Sequence, residues 1–214
     1  MELIKLDHTL PMAFSGQVQP VSDVWHRELS FRRGEHVLIE AASGTGKTSL
    51  CSYVYGYRED YEGTICFDGK DIRRLKTGDW AQLRKRSLSM LFQELRLFPG
   101  LTVWENIELK NKLTAYKTHR QVEECLERLG LSDKLRTPVG KISFGQQQRV
   151  AFVRAICQPF DFIFLDEPVS HLDDANAEAM AALLKEEAEA RNAGIIVTSI
   201  GKQLPLNYSK ILHL

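Results

Sequence analysis

Nine residues near the start of the chain have the makings of a phosphate site. Glu40-Ala41-Ala42-Ser43-Gly44-Thr45-Gly46-Lys47-Thr48 follows a short apolar run, His36 to Glu40, and leads into a helical stretch, Ser49 to Tyr55. Strand, glycine-rich loop and helix in that order let a backbone curl around an anion. Gly44 and Gly46 accept dihedral angles that other residues resist. Successive N–H groups from Ala42, Ser43, Thr45 and Ser49 then turn inward and, with the helix N-terminus, form a cradle. Lys47 is spaced to reach the β- and γ-phosphates of a nucleotide, and the Thr48 hydroxyl to ligate Mg²⁺. The glycine expected five residues before Gly46 is Ala41.

A second chemical site follows 119 residues after Lys47. Phe162-Ile163-Phe164-Leu165 is an apolar run that ends in Asp166-Glu167. Four apolar residues suit a strand buried on both faces, and an aspartate at its carboxyl end can hold a Mg²⁺ ion. Glu167 is placed to polarise an attacking water as a general base. Together the two sites read as a P-loop NTPase.

Between them lies Ile142-Ser143-Phe144-Gly145-Gln146-Gln147-Gln148-Arg149-Val150. It resembles the Leu-Ser-Gly-Gly-Gln signature of ATP-binding cassette proteins. Leu91-Phe92-Gln93, then Leu97 to Thr102 and Glu105-Asn106, is similar to the Q-loop region of that family. Pro168-Val169-Ser170-His171-Leu172-Asp173 is similar to its D-loop. The resemblance spans the whole chain. Through the stretch Leu83 to Gln93 and the run Leu101-Thr102 to Glu105-Asn106 it most resembles the short cassettes of lipoprotein release, macrolide export and cell division.

The resemblance implies a mechanism. Two cassettes pair head to tail around two ATP molecules, each site taking Ser143, Gly145 and Gln146 from the other copy. Gln93 senses Mg²⁺ and the γ-phosphate and reports to an integral-membrane permease. Asp173 links the sites, and Phe14 lies the right distance upstream to stack on adenine, or is a core residue. Two departures stand out: Phe144 replaces a signature glycine, and Ser199 follows Thr198 where the family places a histidine that touches the γ-phosphate. The expected activity is ATP hydrolysis coupled to transport, with Glu167, Lys47, Gln93 and Ser199 as catalytic residues and Thr48, Gln93 and Asp166 around the metal. The alternatives are a soluble cassette that switches on ATP with little hydrolysis, and a kinase, which leaves the signature unexplained.

The elements around these motifs follow an α/β rhythm with a mostly parallel central sheet. Strands are expected at His36 to Glu40, Thr64 to Phe67, Ser87 to Phe92, Asp161 to Leu165, Ile195 to Ser199 and Lys210 to Leu214, with an antiparallel β part toward the N-terminus. From Thr102 to about Gly140 the pattern is helical. Thr118 and Gln121 have the spacing of a capping box, ahead of apolar Val122, Cys125, Leu126 and Leu129. The expectation is one cassette over residues 1–214 with a helical subdomain inserted at about 95–158. A helix from Asp173 or Asp174 to about Arg191 carries Glu178, Glu186, Glu187 and Glu189 on a solvated face. Arg84-Lys85-Arg86 also reads as solvated.

Composition narrows the class. Lys plus Arg and Asp plus Glu are 28 each, so formal net charge is zero. That balance argues against a nucleic-acid binder, which needs a basic excess. Cys51, Cys66, Cys125 and Cys157 are too scattered for a disulfide framework or a zinc site. No apolar run approaches the roughly 20 residues of a membrane span. A cytoplasmic protein held at the membrane's inner face by its permease, and not itself inserted, is the expectation.

Overall fold

Strands and helices are interspersed along the chain. The computed structural model describes residues 1–16 and 21–214. Its strands are β1 (Leu3–Pro11), β2 (Glu28–Arg32), β3 (His36–Glu40), β4 (Tyr61–Phe67), β5 (Lys70–Asp71), β6 (Leu88–Leu91), β7 (Phe162–Asp166), β8 (Gly194–Ser199) and β9 (Lys210–His213). Its helices are α1 (Lys47–Val54), α2 (Thr77–Arg86), α3 (Val103–Asn111), α4 (His119–Arg128), α5 (Phe144–Ile156) and α6 (Asp174–Glu189). Five strands form a parallel sheet in the order β6-β7-β8-β3-β9, and four form an antiparallel sheet, β2-β1-β4-β5. This is the α/β fold of a P-loop NTPase.

The inner strand β7 is buried along its whole length, as a strand covered on both faces must be. Its side chains alternate. Phe162 and Phe164 join the core between the two sheets and α1. Ile163 and Leu165 join the core shared with α3 to α6. Each such side chain contributes about 1.5–3 kcal/mol by leaving water.

Parallel neighbours β6 and β7 are joined by a long crossover that contains α3, α4 and α5. Thr118 and Gln121 form the expected capping box, and Thr102 with Glu105 and Ser143 with Gln146 form two more. The Thr102–Pro138 pairing in this segment is an isolated bridge.

Three local expectations need correction. Helix α2 is an addition to the expected elements; its apolar pattern is weak and it has no buried residue. Arg84 in it is not solvated: it donates to the carbonyls of Tyr55 and Gly56 at 3.0 and 2.8 Å and lies over the rings of Tyr57 and Trp80. On α6, Glu187 pairs with buried Lys117 and accepts from the Tyr116 hydroxyl, while Glu186 takes both arms of Arg128. That part of the acidic face therefore packs on the crossover. No helix among the described residues is long and apolar enough to cross a membrane.

Candidate nucleotide-binding site

The parallel sheet brings the chemistry to one edge. Asp166 pairs with Thr198 and Glu40 with Ser199, so the carboxyl ends of β7, β8 and β3 lie side by side. Glu167 N donates to Thr198 O and Ala41 N to Ser199 O, both at 3.1 Å, which carries the pairing just past the strands. Leu91 sits beside Leu165, so the chain leaving β6 delivers Gln93 to the same edge. A crevice outside the carboxyl ends of parallel strands is where open α/β sheets bind ligands.

Residues 41 to 46 form the loop between β3 and α1. Gly44 and Gly46 have φ of 84° and 99°, in the left-handed region. At Gly46 a Cβ would also meet Trp25 at 3.0 Å and Phe14 at 3.1 Å. Ala41 is absent from the positive-φ residues, which explains why alanine is tolerated there. Lys47 is only 5% exposed; its Nζ donates to Ala42 O at 2.9 Å and lies 3.9 Å from Glu167 Oε1. Thr45 Oγ1 donates to the same carbonyl at 3.0 Å.

Three oxygens converge beside α1. Thr48 Oγ1 lies 2.9 Å from Asp166 Oδ2 and 3.3 Å from Gln93 Oε1. A hydroxyl has one proton, so it cannot donate to both acceptors at once. Asp166 is 1% exposed, and its other oxygen accepts from Thr198 Oγ1 at 2.6 Å. Among the described residues no basic side chain pairs with it within 4 Å. A buried carboxylate without a cation, facing a hydroxyl and an amide oxygen, is a donor set that fits a small hard divalent cation such as Mg²⁺.

Phe14, Ser43, Gly44, Gly46, Lys47, Thr48, Ser49, Gln93 and Glu167 line one cleft of about 330 Å³. Ala42 lies behind it as the acceptor for Lys47. Glu167 has φ of 51°, a conformation few non-glycine residues adopt, held in part by Gln148 Nε2 donating to its carbonyl at 3.1 Å. Ser199 is 2% exposed and does not line the cleft: its hydroxyl donates to Lys202 O at 2.8 Å and accepts from Gly201 N at 3.2 Å. The next residue, Ile200, is on the cleft wall instead.

Ser143, Gly145 and Gln146 do not line this cleft. They start α5, where Ser143 Oγ accepts from Gln146 N at 3.3 Å and Gln146 Oε1 accepts from Ser143 N at 3.0 Å. Gly145 is pressed against the turn that follows β7; a Cβ there would meet His171 O at 3.2 Å.

Four contributors escape the motif reading: Trp25, Thr198, Gln148 and Ile200. Trp25 Nε1 donates to Thr45 O at 2.9 Å, which braces the phosphate loop from beneath. A single tryptophan in a connecting segment carries no spacing that announces this contact. Thr198 had a readable signal, since it pairs in register with Asp166 once the strands are parallel neighbours.

The chain is similar in sequence and fold to known proteins. Residues 26–170 match the ABC transporter family. The chain is 30% identical over 213 residues to the ABC transporter ATP-binding protein YtrE of Bacillus subtilis, covering 97% of this chain and 92% of that one. It is also 30% identical over 205 residues to the lipoprotein-releasing system ATP-binding protein LolD of Syntrophotalea carbinolica, covering 94% and 90%. A solved dimeric ATP-binding cassette in a post-hydrolysis state with ADP and Pi superposes with a TM-score of 0.77 at 25% identity, over 92% of this chain and 87% of that one. Family match, near full-length relatives and fold agree, and the chain belongs to the ABC transporter family.

Proposed function

We propose that the chain binds ATP with Mg²⁺, hydrolyses it, and works as a head-to-tail homodimer that powers a separate membrane permease from the cytoplasmic face. The observation that carries this reading is the meeting of Thr48, Gln93 and Asp166 oxygens beside the Lys47–Glu167 pair at the end of the parallel sheet, with Asp166 buried and Thr48, Gln93, Lys47 and Glu167 lining one cleft. Residues 42 to 49 hold the phosphates. Lys47 leaves Ala42 O for the β- and γ-phosphate oxygens. Phe14, beside Gly46 on the cleft wall, stacks on the base. Mg²⁺ held by Thr48, Gln93 and Asp166 would screen phosphate charge and orient the γ-phosphate.

Glu167 accepts the proton of the attacking water. Ser199 acts through the turn it holds with Gly201 and Lys202. Each cleft is completed by the second copy, a pairing supported by the dimeric relative with ADP and Pi. The Ser143 hydroxyl accepts from the backbone and so keeps its own proton for a γ-phosphate oxygen. Gly145 and Gln146, in the first turn of α5, add the positive end of that helix.

The whole of residues 1–214 serves as one cassette. Its helical subdomain, at about 95–158, carries the response from Gln93 outward. A groove of about 240 Å³ next to Gln93, lined by Tyr57, Phe92, Arg96, Phe98 and Lys110 and by no acidic side chain, gives a permease segment a seat. Relatives named as transporter ATP-binding proteins support the permease partner.

The test is Mg-ATP turnover of the purified chain beside Glu167→Gln, with sedimentation of the variant in saturating Mg-ATP. The variant is expected to lose about 100-fold or more in turnover and to sediment as a dimer. Equal turnover in both proteins removes Glu167 from the chemistry. A strictly monomeric variant removes the pairing.

A further inference from the structure

Two exposed apolar side chains sit at the places where this chain leaves the signature and histidine patterns. The first is Phe144, 45% exposed at the start of α5. Its ring meets the His171 imidazole edge-on, with centroids 4.6 Å apart and planes at 72°. His171 is itself fixed, since its Nδ1 shares a 2.9 Å hydrogen bond with Ser170 Oγ. The close seat of Gly145 on His171 O holds the two segments together. Phe144 and His171 thus form one shaped patch next to Ser143. The second side chain is Ile200, 48% exposed on the wall of a cleft otherwise rich in glycine and polar groups. Ser199 beside it is buried and does not line the cleft.

We infer that in the ATP-bound pair the Phe144–His171 patch of one copy packs on Ile200 of the other, closing the γ-phosphate end of each cleft with an apolar contact. The inference rests on the head-to-tail pairing proposed above and adds what joins the copies there. Consecutive Cα atoms are about 3.8 Å apart, so a Ser143 hydroxyl that touches a γ-phosphate brings Phe144 to the rim of the same cleft. The apolar residues of the cleft lining are Pro11, Ala13, Phe14 and Ile200, and of these Ile200 is the one that directly follows β8, whose end pairs with Asp166. Aromatic against aliphatic excludes water from a site that lacks an imidazole at position 199. Two-fold symmetry makes the contact twice.

The test uses the full chain carrying Glu167→Gln, in Mg-ATP. Phe144→Cys and Ile200→Cys together are expected to give an oxidatively cross-linked dimer that neither substitution gives alone and that needs ATP. Background from Cys51, Cys125 and Cys157 is low because all three are buried; Cys66 is half-buried, and the single variants control for it. A dimer seen by sedimentation with no cross-link overturns the inference and leaves the pairing standing. No dimer of the Glu167→Gln protein that keeps Phe144 and Ile200 overturns the pairing and the inference with it. A cycle without cysteines gives a second reading. Phe144→Ala and Ile200→Ala are each expected to weaken ATP-dependent dimerisation about tenfold, and the double variant also about tenfold, because the two share one contact. A double variant weakened about a hundredfold, the product of independent effects, excludes it.

Discussion

Gln148 Nε2 donates to the main-chain carbonyl of Glu167 at 3.1 Å, so the helix that begins at Ser143 holds the backbone of the residue at the end of β7. Gln148 is 2% exposed and Glu167 sits at a φ of 51°. The bond therefore stabilises a strained backbone at the reacting end of the cleft. Gln148→Leu fills similar space without the donor and leaves a buried carbonyl unmet, a loss of about 1–3 kcal/mol. We expect a lower unfolding midpoint in urea and a fall in turnover, with ATP affinity kept because the phosphate loop is untouched. Turnover equal to wild type at matched folding would show that Glu167 keeps its place without the bond.

Much of the site is legible in the sequence because its signals are local. Lys47 and Thr48 follow a glycine pair set between a short apolar run and a helical stretch, and Asp166 ends an apolar run that suits a buried strand. The capping box at Thr118 is equally short-range. What escapes is long-range. Trp25 reaches Thr45, Gln148 reaches Glu167, and Lys117 reaches Glu187 across the fold. Helix α2 escapes because it buries no side chain fully, so its apolar period is faint. Ser199 is a sharper case. Its position at the end of β8 is readable, but the direction of its hydroxyl depends on the turn through Gly201 and Lys202.

That turn makes a prediction about Ser199. Its hydroxyl is already engaged on both sides, and the residue is buried and does not line the cleft. Ser199→Ala is expected to cost about 1 kcal/mol of stability and to change turnover by less than about twofold, which is under 0.5 kcal/mol of barrier. A collapse of turnover with the fold intact would mean that the hydroxyl swings to the phosphate once ATP is bound.

Trp25 offers a probe of the phosphate loop. Its indole N–H donates to Thr45 O while its ring lies 3.0 Å from where a Gly46 Cβ would be. Trp25→Phe keeps most of the packing and removes the donor, at about 0.5–1.5 kcal/mol. ATP affinity is expected to fall several-fold, with the effect shared by ADP, since both nucleotides use the same loop. Tryptophan emission gives a direct readout. Nucleotide should perturb the wild-type spectrum and leave the Trp25→Phe spectrum, which reports only Trp80 and Trp104, unchanged. An undiminished response in the variant would place the signal, and the coupling, elsewhere.

Lys110 supplies a pH dependence with a definite sign. Burial, reinforced by the nearby Arg154 and Arg84 cations, pulls its amine down from 10.5 to about 8. Its Nζ donates to Arg84 O at 3.1 Å. Below pH 8 the folded chain must hold this amine charged in a poor environment, and that penalty is fully present. Between 8 and 10.5 the unfolded chain binds the proton that the folded chain has released, so folding gains stability as pH rises. Lys110→Met removes the penalty. The variant should therefore be more stable than wild type at pH 7, and the difference should shrink as pH climbs from 8 toward 10.5. Urea midpoints for both proteins at pH 7, 8, 9 and 10 decide it. A difference that stays flat across that range would show that Lys110 titrates normally, and that the groove beside Gln93 is wet enough to hold its charge without a partner.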